Sequence, residues 1–215
     1  PKLQQILKKR PSMRDYKEQN IAKEVKENSK MIAKCDKFVC IARHSLESFT
    51  SICQVDIKKT SLINNALRDC YIPIDEKQKH AIRQKYYIQE ETPLLIFAGR
   101  LDEVKGITFL IQAFRKVLKK HANTRLLIAG DGNFNKWLKE AGGIWSQITF
   151  TGRIEKDVLY ELYQIADIGI VSSIYEEFGF VAIEMMMHQL PIIVSDTGGL
   201  SEIVEDKISG FKVPV

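Results

Sequence analysis

The run Leu94-Leu95-Ile96-Phe97-Ala98-Gly99-Arg100-Leu101-Asp102-Glu103-Val104-Lys105-Gly106 decides the fold. Five consecutive apolar residues end in a glycine and lead into a helical pattern over 106–120. That reads as a strand buried on both faces, a loop and a helix. The same unit recurs downstream. Leu126–Ala129, Ile148–Thr151, Ile168–Val171 and Ile192–Ser195 are further short apolar runs, with helical segments over 133–141, 155–165 and 179–188 between them. Strands that are apolar without a break, alternating with helices, predict an α/β domain built on a parallel sheet with helices on both faces.

Every one of these strands runs into glycine, small or polar residues: Gly99-Arg100, Gly130-Asp131-Gly132, Gly152-Arg153, Ser172-Ser173 and Asp196-Thr197-Gly198-Gly199. Open α/β sheets bind ligands beyond the carboxyl ends of their strands, and glycine there lets backbone N–H groups approach a ligand closely. The first of these loops carries Arg100 and Lys105. Two cations at the ligand edge suit a diphosphate, since Arg forks onto its oxygens and Lys adds a point charge; alternatively they pair with Asp102 and Glu103. The loop is not a Walker A sequence.

A second segment, Glu176-Glu177-Phe178-Gly179-Phe180-Val181-Ala182-Ile183-Glu184, should open a helix at Gly179 and Phe180, whose free N–H groups can hold a phosphate. Glu184 stands alone among apolar residues from Phe180 through Met187. A carboxylate there is costly unless partnered. It either pairs with His188 one turn on or accepts hydrogen bonds from ligand hydroxyls, of which a ribose offers two. Gly130-Asp131-Gly132 lacks the third glycine of a dinucleotide fingerprint and reads as a turn before a helix.

The 215 residues are 45% apolar and 27% charged, a globular balance, and no apolar run approaches membrane-spanning length. The four histidines and four cysteines show no metal-ligand or nucleophile spacing. The cysteines read as reduced thiols of a cytoplasmic protein. Charge is uneven: residues 1–70 carry 15 Lys/Arg against 8 Asp/Glu, and residues 71–215 carry 17 against 19. The basic part has few aromatics and no nucleic-acid motif, so nucleic acid is not expected as a partner; it reads as a solvated face, with peripheral contact to the inner membrane surface as a further possibility. Residues 1–34 read as one or two amphipathic helices broken near Pro11. Phe38–Ala42 reads as a buried strand, Leu46–Cys53 as a helix and Thr60–Ile63 as a second strand. The charged stretch 71–92, bounded by Pro73 and Pro93, reads as a linker. Pro1 follows no initiator Met, and the whole reads as a piece of a longer chain.

Taken in order, Phe97-Ala98-Gly99-Arg100 with Lys105-Gly106, Leu127–Gly132, Phe150-Thr151-Gly152, the Glu176-to-Glu184 segment, Pro191–Gly199, Glu202-Ile203-Val204 and Gly210–Pro214 resemble the donor-binding half of family 4 glycosyltransferases, which have the GT-B fold. The two glutamates fit the family's E-x7-E motif. Asp36–Ala42 and Leu62–Asn65 resemble the end of the family's first domain, with Ala42 and Asn65 where Ser and Gly are usual. The resemblance implies a division into 1–70, an incomplete acceptor domain, 71–92, a linker, and 93–215, a Rossmann-like donor domain lacking its last helices. It implies a retaining, metal-independent transferase that takes a nucleotide diphosphate-sugar and passes the sugar to a glycan or lipid-linked acceptor, in polysaccharide biosynthesis or similar work. Arg100, Lys105 and Glu176 would be the catalytic residues, the first two holding the diphosphate as it leaves and Glu176 the donor sugar's hydroxyls. Glu184 would bind ribose, the backbone around Gly179, Phe180 and Val181 the phosphates and sugar, and Gly152, Arg153 and Ile154 the base, with Gly99 and Phe178 beside them. The missing acceptor domain implies that the piece alone binds donor without transferring it. The competing readings are a nucleotide-sugar epimerase of the same architecture and a non-catalytic nucleotide-sugar-binding module.

Overall fold

The computed structural model describes residues 29–51, 53–69 and 71–215. The amphipathic helices read over 1–34 fall mostly outside the described residues; 29–33 are helical. The chain divides into two compact units at Asn64/Asn65.

The first unit contains one β-α-β crossover. β1 (Phe38–Cys40) and β2 (Thr60–Leu62) pair in parallel, Phe38 opposite Thr60 and Cys40 opposite Leu62. Between them runs α1 (Arg43–Ser51), whose Phe49 ring packs against Phe38 at 5.5 Å. Asp56 caps the short 3-10 turn Ile57–Lys59 that leads into β2. The expected strand is thus shorter than Phe38–Ala42 and only half buried: Cys40 is covered, while Val39 is 60% exposed.

The second unit is a six-stranded, all-parallel sheet in the order β5-β4-β3-β6-β7-β8. Its strands are β3 (Leu94–Ala98), β4 (Arg125–Ala129), β5 (Ile148–Gly152), β6 (Ile168–Val171), β7 (Ile192–Ser195) and β8 (Phe211–Val213). The connecting helices are α3 (Ile107–Leu118), α4 (Phe134–Glu140), α5 (Lys156–Ile165), α6 (Phe180–Met187) and α7 (Gly198–Ile203), with α2 (Glu76–Lys85) ahead of β3. Alternate side chains of β3 enter opposite cores. Leu94, Ile96 and Ala98 join Leu162, Ala182, Met185 and Leu200 on one face, and Leu95 and Phe97 join Ile107, Phe114 and Trp137 on the other. This is the period-2 alternation of a strand covered on both sides. The chain builds outward from β3 to β5 in one direction and from β6 to β8 in the other, so the order reverses between β3 and β6. At such a switch point the loops after two neighbouring strands part and leave a crevice.

The stretch 71–92 is not a linker. It carries α2, opened by a reciprocal capping box in which Asp75 accepts from Gln78 N and the Gln78 side chain accepts from Asp75 N. Ile74, Ile82 and Tyr86 pack against the core shared with α5 and α6. The decisive residue is Arg83, which is buried and donates from Nη1 to the carbonyls of Gln89 and Thr92 and from Nη2 to that of Ile165. One guanidinium thereby ties the approach to β3 to the end of α5. In sequence it looks like one more solvated charge, which is why the stretch read as a linker.

Candidate functional site

The crevice at the switch point lies between the loop after β3 and the loop after β6. The first loop is shaped by Asp102, whose side chain accepts from Lys105 N at 3.0 Å and caps the 3-10 turn Glu103–Lys105. It ends at Gly106, which has φ +70° and lies so close to the second loop that a Cβ would sit 1.9 Å from Ser172 O. Ser172 Oγ donates to Lys105 O at 2.9 Å and Ile174 N to Val104 O at 2.8 Å. The loop after β7 joins them: Thr197 Oγ1 donates to Ile174 O and Gly199 N to Glu176 O. Three strand ends are therefore stitched into one rigid rim.

Across this rim Lys105 Nζ donates to Glu176 Oε2 at 2.5 Å, and Ser173 Oγ donates to the same oxygen at 3.0 Å. The two charged side chains are 20% and 17% exposed, so the pair is mostly desolvated with one side open. The Lys105 ammonium thus meets neither of the nearby carboxylates, Asp102 and Glu103, with which it could have paired. Lys136 of α4 takes Glu103 instead, while Arg100 Nη2 lies 3.4 Å from Asp102. The Arg100 side chain is 79% exposed, so this solvent-screened pair is weak and the cation can turn toward a ligand.

Gly99, Arg100, Gly130, Arg153, Ile154 and Val181 line one cavity of about 510 Å³ at the ends of β3, β4 and β5. Gly130 joins the turn Gly130-Asp131-Gly132, expected only as a helix lead-in, to the site. Its backbone approaches Gly99 so closely that a Cβ would meet Gly99 O at 1.8 Å. Gly152 supplies the positive φ, +72°, that turns the chain from β5 toward Arg153. The wall is completed by α6. Its first N–H groups have no intrahelical acceptor, and Gly179, at φ +108°, caps it without a side-chain hydrogen bond. Phe178 is buried and packs on the half-exposed Phe180 ring at 5.0 Å, which fixes the entry into the helix.

Glu184 lies one turn beyond Val181 and is buried. His188 does not pair with its carboxylate: the ring Nδ1 donates to the Glu184 main-chain oxygen at 2.7 Å. The charge partner is Lys156, the first residue of α5, whose Nζ is 3.5 Å from Glu184 Oε1. The Glu184 charge also helps push the Tyr163 phenol above its ordinary value, after the larger effect of burial. Sequence reasoning missed Lys156, which is 28 positions from Glu184 with nothing local to link them. It placed Ser172-Ser173 at the ligand edge, after a buried strand, without giving either serine a role. Among the described residues no group of three or more His, Cys, Asp or Glu could hold a metal ion, and no helix is long and apolar enough to cross a membrane.

The sequence profile described as "Glycosyl transferases group 1" matches residues 78–215. The chain is 32% identical over 180 residues to an uncharacterized glycosyltransferase of Methanocaldococcus jannaschii, covering 81% of this chain and 46% of that protein. It is 34% identical over 141 residues to the lipopolysaccharide 1,2-N-acetylglucosaminetransferase of Salmonella typhimurium, covering 60% of this chain and 37% of the relative. The chain therefore spans less than half the length of these curated relatives. Among solved structures, Anabaena HepE, crystallised with UDP and glucose, superimposes with a TM-score of 0.78 at 20% identity, over 88% of this chain and 53% of that one. HepE and the other neighbours share the doubly covered parallel sheet of the GT-B glycosyltransferases. By the profile match over 78–215, the chain belongs to the glycosyl transferases group 1 family.

Proposed function

We propose that the chain is the donor-binding half of a family 4, retaining glycosyltransferase that takes a sugar from a nucleotide diphosphate-sugar and passes it to a glycan acceptor. The observation that carries this reading is the Lys105–Glu176 pair, 2.5 Å across the crevice between β3 and β6, with the exposed Arg100 beside it. An ammonium and a carboxylate held together at a strand-end crevice offer a cation to a phosphate and an acceptor to sugar hydroxyls within one small volume. Two relatives support the donor class: HepE has been crystallised with UDP-glucose, and the Salmonella relative is named as an N-acetylglucosaminetransferase.

In the proposed reaction the bond between the anomeric carbon and the diphosphate oxygen breaks. The acceptor oxygen bonds to the same face of that carbon, and the acceptor's proton passes to the leaving phosphate oxygen. Lys105, Arg100 and the N–H groups at the start of α6 stabilise the charge that develops on the diphosphate, with no protein nucleophile and no metal in the scheme. Glu176 orients the sugar hydroxyls, Glu184 the ribose, and the turn at Gly152–Ile154 faces the base.

The 215-residue chain is expected to bind nucleotide-sugar but not to transfer it, because an acceptor must be held in near-attack geometry against the donor by the acceptor domain. A binding titration paired with a transfer assay, on this chain and on the full-length protein, tests this. Efficient turnover by the chain alone would overturn the division of labour, and no binding by either would remove the donor site. Glu184→Gln is expected to weaken nucleoside diphosphate binding about tenfold, the loss of a charge-assisted contact. It should leave the melting temperature unchanged, since the His188 bond goes to the main chain. A lower melting temperature with unchanged affinity would assign Glu184 to packing.

A further inference from the structure

We infer that Lys156 is a specificity residue of the donor site, reading the ribose jointly with Glu184; the inference rests on the assignment of Glu184 to the ribose. Lys156 Nζ stands 3.5 Å from Glu184 Oε1, its side chain 72% exposed while that of Glu184 is 10% exposed. The carboxylate is buried and the ammonium is largely exposed, so the pair lies at the protein surface, close in sequence to residues that line the cavity. Lys156 follows the turn Gly152–Ile154, and Glu184 follows Val181 by one helical turn. Ile154 and Val181 both line the cavity. Among the described residues the Lys156 ammonium has no partner besides Glu184, and an ammonium carries three donors.

The chemistry of a ribose fits this pair better than it fits a lone carboxylate. Each hydroxyl of a cis-diol is a donor and an acceptor at once. Glu184 alone can only accept, which leaves the hydroxyl oxygens to water. With Lys156 beside it, a hydroxyl can donate to Glu184 and accept from the ammonium, so both of its functions are met at one place. Lys156 also holds one side of the carboxylate before the nucleotide arrives, which reduces what must be ordered on binding. Lys156 is 72% exposed, which screens the attraction, but Glu184 is 10% exposed and loses its charge partner with Lys156, so the pair also contributes something to stability. The hydroxyl assigned to this place is the 2′-hydroxyl, which a 2′-deoxynucleotide lacks.

The test is calorimetric titration of the 215-residue chain with UDP, GDP and ADP and with their 2′-deoxy counterparts, beside thermal melts. The unsubstituted chain is expected to prefer the ribonucleotide for whichever base it binds. Lys156→Ala should weaken the ribonucleotide by about fivefold, the size of one partly screened contact. It should leave the 2′-deoxy counterpart unchanged, with a melting temperature lowered by a few degrees at most as Glu184 loses its charge partner, and Lys156→Arg should restore most of the preference. Equal weakening of both nucleotides would show a general attraction for phosphate, and no change in either would leave Lys156 without a role; both results overturn the proposal. Glu184→Gln separates the two levels. If it abolishes the ribose preference while Lys156→Ala does not, the inference about Lys156 fails alone. If Glu184→Gln keeps the preference, or the unsubstituted chain shows none, the assignment of Glu184 to ribose fails and the proposal with it.

Discussion

Gly106→Ala is expected to lower the melting temperature by on the order of 10 °C and to weaken nucleoside diphosphate binding with it. The position has φ +70°, and a Cβ there would sit 1.9 Å from Ser172 O and 3.5 Å from Ser172 Cβ. A left-handed conformation costs an L-residue roughly 1–2 kcal/mol. Forcing a methyl against a backbone oxygen adds about 1–3 kcal/mol of the kind seen in overpacked cores. A domain of this size loses about 2–4 °C per kcal/mol. The strain cannot relax cheaply, because Ser172 is itself bonded to Lys105 O and Ile174 to Val104 O. Any shift that relieves the clash moves Lys105 away from Glu176. Gly152→Ala is the control: φ is +72°, but nothing lies within 4 Å of the added Cβ. It should cost only the conformational part. Differential scanning calorimetry of the two variants reads the difference. Equal melting temperatures would mean that the packing between the loops after β3 and β6 is loose and that the rim is not rigid.

The central sheet was legible because its strands are buried on both faces. β3, β6 and β7 coincide with the apolar runs Leu94–Ala98, Ile168–Val171 and Ile192–Ser195, and no polar residue interrupts them. At the margins this signal fades. β8 is a three-residue edge strand whose Phe211 is 59% exposed and whose middle residue is Lys212, so its local composition carries no strand pattern. Helix α2 is written in charged residues and is held to the domain by buried Arg83, whose partners lie on the approach to β3 and at the end of α5. The site divides in the same way. The loops at the strand ends could be placed from sequence, and Gly99, Arg100, Arg153, Ile154 and Val181 line one cavity. Charge partners could not, because pairing is a property of the assembled sheet. Lys105 passes over Glu103, two residues away, to meet Glu176, 71 residues on, and Glu184 meets Lys156 rather than His188.

Arg100→Ala and Lys105→Ala are each expected to weaken nucleoside diphosphate binding by roughly 10- to 100-fold, the loss of one charge-assisted contact of about 1.5–3 kcal/mol. From sequence, neither change should disturb the fold. The geometry separates them. Arg100 is 79% exposed beside Asp102, and its removal should leave the melting temperature where it was. Removing Lys105 leaves Glu176, 17% exposed, with Ser173 as its one remaining side-chain donor among the described residues. An under-compensated carboxylate in such a place costs about 1–3 kcal/mol, which corresponds to a drop of several degrees. Lower affinity in Lys105→Ala could then be blamed on a damaged fold, so the informative variant is Lys105→Ala with Glu176→Gln. The neutral amide no longer needs an ammonium, and most of the lost melting temperature should return. The lost phosphate affinity should not, because the cation is still missing. Isothermal titration with nucleoside diphosphate, run beside thermal melts on the single and double variants, reads both quantities. Recovery of affinity along with stability in the double variant would make Lys105 a structural partner of Glu176 and take the diphosphate away from it.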